Sequence, residues 1–234
     1  MAELYLIRHA QASFGAANYD KLSELGHQQS HWLGEHLARH AFDFDTVVLG
    51  DMVRHRETLE GLHKGLQSHQ NFSVLDDKIQ SATVMPQLNE FDFKAVAEGF
   101  LKLNPELTPK KSSDRSEFYR VFRMAILAWS EGKLDEHVPE KYSEFRSRVL
   151  EFVEILTQKH VGQKVLAVTS GGAIGMAVSH MLGASQDSMI ELNIQIRNTS
   201  ISHCFFNHKR ARLHTFNHVP HLDNPEKKEY ITYS

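Results

Sequence analysis

Leu4-Tyr5-Leu6-Ile7-Arg8-His9-Ala10-Gln11 decides how the chain is read. Four apolar residues in a row describe a buried strand, and the run then breaks into a cation, an imidazole and a small residue. In an open α/β sheet, ligands sit just past the carboxyl ends of the strands. Arg8 and His9 stand at such an end. A guanidinium is a planar fork of donors that suits phosphate. A neutral imidazole beside it can attack phosphorus and carry the phosphoryl group. An Arg-His pair alone is a weak signal, so the rest of the chain has to supply the support.

Outward from that strand, the pattern alternates. Ser13, Gly15 and Asn18 mark a loop. Ser23 is placed to cap a helix running to about His40, with Trp32, Leu33, Leu37 and Ala41 as its apolar stripe. Thr46-Val47-Val48-Leu49 is a second buried strand, followed by a helix over about 52–67. A strand-helix-strand order of this kind predicts a mostly parallel sheet with crossover helices. Residues 72–75 and 83–88 read as short extended pieces, the second ending at Asn89-Glu90. Residues 92–137 read as helical with a polar break around Pro105, Pro109, Lys110, Lys111, Ser112 and Ser113. They are expected to form an insertion over the active-site face. Residues 142–160 form an amphipathic helix, with Phe145, Val149, Phe152, Val153 and Leu156 on one stripe. Val165–Val168 is the clearest central strand; it runs into Thr169-Ser170-Gly171-Gly172 and a helix to about Leu182. Two strands, 199–206 and 211–216, close the pattern. A polar tail from about 220 is expected to be poorly ordered.

Composition narrows the class. The 234 residues are 41% hydrophobic and 24% charged, an ordinary globular balance that fits one domain over 1–234. A net charge of -3 argues against broad nucleic-acid or membrane-surface binding. The single cysteine, Cys204, cannot form an internal disulfide and lies in a β-like run, where a packed thiol is expected. With no basic and apolar leader and no membrane-length apolar run, the cytoplasm is the expected compartment.

Four strand ends carry polar groups able to converge: Arg8-His9, then Gly50 to Arg54, then Glu90, then Thr169 to Gly172. Their ordered set resembles the histidine phosphatase superfamily, the phosphoglycerate-mutase-like fold. Arg8-His9-Ala10 is similar to its opening Arg-His-Gly. Leu22-Ser23-Glu24-Leu25-Gly26-His27-Gln28-Gln29 is similar to its Leu-Thr-x-x-Gly-x-x-Gln. Gly50-Asp51-Met52-Val53-Arg54-His55-Arg56-Glu57-Thr58 resembles Ser-Pro-Leu-x-Arg-Ala-x-Gln-Thr. Leu88-Asn89-Glu90, Val168 to Gly172, and Asn198-Thr199-Ser200 resemble the later motifs.

The resemblance implies a three-layer αβα fold and a phosphomonoester hydrolase acting through a phosphohistidine at His9. Arg8 and Arg54 would bind phosphate, and Glu90 would protonate the leaving oxygen and later activate water. Ser170 and Gly171 would complete the phosphate site, Gly171 through a backbone N–H at a helix start. No metal or organic cofactor is implied. The partner is a small phosphorylated substrate, and the chain is read as a monomer or homodimer. Two positions depart from the family pattern. Ser170 stands where the family carries its second histidine, and it offers a hydrogen bond without a charge. Ala10 replaces glycine. Gly15 stands where the mutase subgroup carries asparagine, which places phosphatase ahead of mutase. The rival from another class is a weak or inactive phosphoester-binding or regulatory relative.

Plainer readings stand beside these. Arg54 could pair along its own helix with Asp51 or Glu57. Glu90 could be an ordinary loop carboxylate. Val168 rather than Gly two places before Ser170 does not fit a serine nucleophile elbow. His27/His31 and His36/His40 have i, i+4 spacing, and with no third ligand in the pattern they read as helix faces rather than zinc ligands. Lys110, Lys111, Arg115, Arg120 and Arg123 could recruit an anion, though a solvated surface accounts for most of them.

Overall fold

A computed structural model describes residues 2–13, 20–68, 73–110 and 115–233. Gly15, Asn18, Phe72, Lys111, Ser112 and Ser113 lie outside the described residues, as does the side chain of Arg115.

Six strands form one sheet. They are β1 (Ala2–Arg8), β2 (Thr46–Leu49), β3 (Thr83–Val84), β4 (Lys164–Thr169), β5 (Ile201–Asn207) and β6 (Arg210–His218), in the spatial order β3-β2-β4-β1-β5-β6. The first four are parallel; β5 and β6 add an antiparallel edge. Both faces of β2 and β4 are covered, as their apolar runs require, while the edge strand β3 is exposed. Along β1 and β4 the side chains alternate by face. Ile7, Leu166 and Val168 pack with α1 (Glu24–Arg39) and α2 (Val53–Gln67). Leu4, Leu6, Val165 and Ala167 pack on the other face. There they meet α4 (Phe93–Leu103), α5 (Arg115–Ser130), α6 (Tyr142–Lys159) and α7 (Gly171–Leu182). The fold is therefore α/β, with helices on both sides of a mostly parallel sheet.

Local expectations hold where the pattern is strong. Ser23 caps α1, accepting from the Gly26 amide at 3.0 Å. The whole predicted stripe of α6, from Phe145 to Leu156, is buried. Cys204 is a fully buried thiol, pushed up to about 12 by burial. Elsewhere the structure differs. Residues from Ser73 form a helix, α3 (Ser73–Gln80), not a strand; Leu75 and Ile79, one turn apart, bury against the α2 side. The extended piece at 83–88 is a two-residue strand followed by a 3-10 turn, Pro86–Leu88. Ala41 falls past the end of α1 at φ 49°, and Ala38 takes its place in the core. The C-terminal tail is packed rather than loose: His221 and Leu222 are buried, and Thr232 exchanges hydrogen bonds with Asn198. Its polar groups are answered by polar groups of the domain. Among the described residues no helix is long and apolar enough to cross a membrane.

Candidate active site

Register builds the site. Arg8 of β1 pairs with Thr169 of β4, and Leu49 of β2 pairs with Val168. Three parallel strands therefore end at one level, and His9, Gly50 and Ser170 are the residues that step off them. Their amides continue the ladder briefly: His9 N–H donates to Thr169 at 2.8 Å, and Gly50 N–H to Val168 at 3.1 Å.

His9 is 4% exposed, and its ring is fixed at both nitrogens. Nδ1 lies 2.7 Å from the Ala10 carbonyl, and Arg54 Nε donates to Nε2 at 3.1 Å. A guanidinium N–H can only donate, so Nε2 carries the lone pair and Nδ1 the proton. Burial holds the imidazole well below its ordinary value, reinforced by Arg54, Arg8 and His55. The backbone around it is also tied. The Ala10 amide donates to Thr58 Oγ1 at 3.0 Å, and Asn198 Nδ2 donates to the His9 carbonyl at 3.0 Å.

Arg54 lies in the first turn of α2 and is 3% exposed. Its Nη1 meets Asp20 Oδ1 at 2.7 Å, while Asp20 Oδ2 accepts the Val53 amide at 2.9 Å. The two helix neighbours considered as surface partners are otherwise engaged: Asp51 takes Arg56, and Glu57 accepts the Leu22 amide at 2.7 Å. Arg8 donates through Nη1 to the carbonyls of Ile196 and Tyr233. Its Nε is 3.4 Å from where a Cβ on Gly171 would stand, so guanidinium and helix start adjoin.

Glu90 follows the 3-10 turn. Its Oε2 accepts the Gly172 amide at 3.0 Å, and its Oε1 accepts the Phe91 amide at 3.2 Å. A Cβ at position 172 would fall 2.1 Å from Oε1, so only glycine admits the carboxyl here. Burial raises Glu90 above the ordinary carboxylate value, against the pull of the Gly172 amide and of the Arg54 and Arg8 charges. Arg148 of α6 clamps this turn. It donates to the carbonyls of Gln87, Asn89 and Glu90 and pairs with Glu140 at 2.6 Å.

Ser170 precedes α7 and is fully buried. Its Oγ makes no cap to the helix and lies 2.7 Å from Nε2 of His55. The structure thus brings His9, Arg8, Arg54, Glu90, Ser170 and Gly171 to one end of the sheet. It adds Asp20, His55, Thr58, Arg148 and Asn198, to which the sequence reading gave no role in the site. Thr58 and His55 sit inside the motif that drew attention to Arg54; Asp20 and Arg148 carry no local signal. Of the basic residues on α5, Arg120 and Arg123 stay on the surface, Arg123 paired to Glu191 at 2.6 Å. Among the described residues no three metal-ligating side chains gather. The His36 and His40 rings lie 4.4 Å apart, tilted by 48°. A bare imidazole nitrogen, two guanidinium groups and a carboxyl biased toward its neutral form suit transfer of an anionic group.

Comparison with known proteins identifies the fold and the family. A curated relative named "Probable phosphoglycerate mutase GpmB", from Serratia proteamaculans, is 24% identical over 244 residues, covering 98% of this chain and 99% of that one. A phosphoserine phosphatase from Entamoeba histolytica, solved with 3-phosphoglyceric acid, superposes with a TM-score of 0.62 at 18% identity; the match covers 95% of this chain and all of the other. The alpha-ribazole phosphatase from Shigella flexneri gives 0.60 at 20% identity, with 93% and 96% covered. These structures share the fold. The model of the histidine phosphatase superfamily (branch 1) matches residues 4–219, nearly the whole described sheet and every strand end above, and the chain belongs to that superfamily.

Proposed function

We propose that the protein is a phosphomonoester hydrolase that works through a phosphohistidine at His9. The observation that carries this reading is the fixed tautomer of His9, with Nδ1 tied to Ala10 and the lone pair of Nε2 directed at Arg54. An arriving phosphate competes for the Arg54 N–H groups and uncovers that lone pair. Arg54 stays anchored through Asp20. Nε2 then attacks phosphorus, the ester P–O bond breaks, and Glu90 gives its proton to the departing oxygen. In the second half, the Glu90 carboxylate takes a proton from water, water oxygen attacks phosphorus, and the P–N bond breaks to release His9 and inorganic phosphate. Arg8 and Arg54 balance the charge on the equatorial oxygens, and Ser170 Oγ and the Gly171 amide add neutral donors. A raised Glu90 favours the acid form that the first step requires.

The substrate class is a small phosphomonoester. Relatives whose names and titles mention phosphoserine and 3-phosphoglyceric acid support that class. The test is phosphate release from nitrophenyl phosphate and a panel of phosphorylated metabolites, by the wild type and by His9→Ala. The relative named as a phosphoglycerate mutase favours a second reading, phosphoryl transfer back to substrate. Isomerised phosphoglycerate without inorganic phosphate would identify that activity. Phosphate binding without either product would identify a binding module.

A further inference from the structure

The chemistry above makes no use of His55, yet its imidazole is fully buried one residue beyond Arg54. A buried polar ring needs partners. Its Nε2 lies 2.7 Å from Ser170 Oγ, and its ring centroid is 5.8 Å from that of His9. It packs so closely on Gly50 that a Cβ there would fall 2.4 Å from Nδ1. His55 thus reaches from the end of β2 to the end of β4. Ser170, for its part, occupies the N-cap place of α7 without capping it. A serine there ordinarily accepts a helix amide. This one faces His55 instead.

A hydroxyl has one proton and two lone pairs. When an anion settles at the start of α7, the Ser170 proton turns to it, and the Ser170 oxygen then needs a donor of its own. Nδ1 of His55 lies beside the Gly50 backbone but makes no hydrogen bond of good geometry, so the ring proton is assigned to Nε2, 2.7 Å from that oxygen. We propose that His55 is a positioning residue of the phosphate pocket: it donates to Ser170 Oγ and so commits the Ser170 hydroxyl as a donor to the phosphoryl group. The inference rests on the phosphoryl-transfer reading of the site. Two residues on two strand-end loops would share the work that the family resemblance assigns to one histidine at position 170. Burial, with Arg54 adding and the Gly50 backbone opposing, brings His55 down to about 3, so it contributes a directed hydrogen bond and no charge.

The test compares wild type, His55→Leu, His55→Gln, Ser170→Ala and the His55→Leu/Ser170→Ala double variant. Affinity for inorganic phosphate is measured by calorimetry, kcat and KM on nitrophenyl phosphate, and melting temperature alongside. Each of His55→Leu and Ser170→Ala should weaken phosphate binding about tenfold or more, as loss of a hydrogen bond to a charged group does. The double variant should bind no more weakly than either single one. His55→Gln, whose amide can still donate to Oγ, should retain more affinity than His55→Leu. Losses that add in the double variant, or a His55→Leu protein of lowered melting temperature but unchanged affinity and kcat, would overturn the inference and leave His55 a packing residue. If His55→Leu melts too low to assay, the exchange variant His55→Ala/Ser170→His carries the test: it should bind phosphate better than Ser170→Ala, and equal or weaker binding overturns the inference. Wild-type protein that binds phosphate without hydrolysing the ester overturns the hydrolase reading alone, and the variant comparison is then read from binding. Wild-type protein that does not bind phosphate overturns both.

Discussion

Arg54 Nε donates to His9 Nε2 across 3.1 Å, so a cation covers the nitrogen that the proposed mechanism asks to attack. The guanidinium serves two masters, since its Nη1 holds Asp20 at 2.7 Å. A lysine offers one compact charge and no fork. Arg54→Lys should therefore weaken vanadate inhibition by about 1.5–3 kcal/mol, roughly ten- to a hundredfold, with Arg54→Ala at least as severe. An unchanged inhibition constant in both variants would remove Arg54 from the phosphate site.

Glu90 is expected to matter in proportion to how badly the leaving oxygen needs a proton. Glu90→Gln keeps an acceptor for the Gly172 amide but has no proton to give. Hydrolysis of alkyl phosphates should fall by about a hundredfold or more, and that of nitrophenyl phosphate by much less. Equal slowing of both substrates would contradict the acid role.

Under the proposed mechanism, Arg148 should bear on the same step from outside the pocket. It holds the carbonyls at 87, 89 and 90 through one guanidinium anchored on Glu140. Arg148→Met keeps the stem but frees the turn. It should lower kcat for poor leaving groups more than it raises KM, because the misplaced group is the acid and not a phosphate ligand. A larger effect on KM than on kcat would place Arg148 outside this role.

The buried histidines set a pH dependence of stability. His55 and His221 are each held at about 3, both chiefly by burial, so the folded protein keeps them neutral while the unfolded chain protonates them near 6.5. The unfolded state therefore binds more protons as pH falls below 6.5, and stability is lost from there down towards pH 3. Between pH 7 and pH 5 each histidine should remove about 2 kcal/mol. Urea unfolding at the two pH values measures this. His221→Gln should reduce the drop by about that amount; an identical drop in wild type and variant would show that His221 does not drive it.

The parts of the fold legible in the sequence were those with strong local patterns. β1, β2, β4 and α6 have apolar runs or stripes that admit one period. The helix at Ser73–Gln80 was misread because, among its described side chains, only Leu75 and Ile79 mark a buried side, too few to set a period. The helix Gln186–Gln195, α8, was missed for a similar reason: it buries just Met189 and Ile190. The tail was misread because its contacts are polar, as between Thr232 and Asn198, and polarity alone reads as solvent. In the site, His9, Arg8, Arg54, Glu90 and Ser170 were legible because they follow strand ends or sit in an ordered set of motifs. Asp20, Arg148 and the His55–Ser170 contact were not, because long-range register brings them together and no spacing along the chain records it.

The most direct test of the phosphohistidine is to trap it. Wild-type protein is mixed with nitrophenyl phosphate, quenched in alkali within the first turnover, digested and read by mass spectrometry. A phosphoramidate should survive alkali and be lost in acid, with 80 Da, roughly one phosphoryl group, on the peptide that contains His9. The His9→Ala protein, still folded by its melting curve, should show neither the adduct nor phosphate release. Steady hydrolysis by His9→Ala, or an adduct on another residue, would contradict the account.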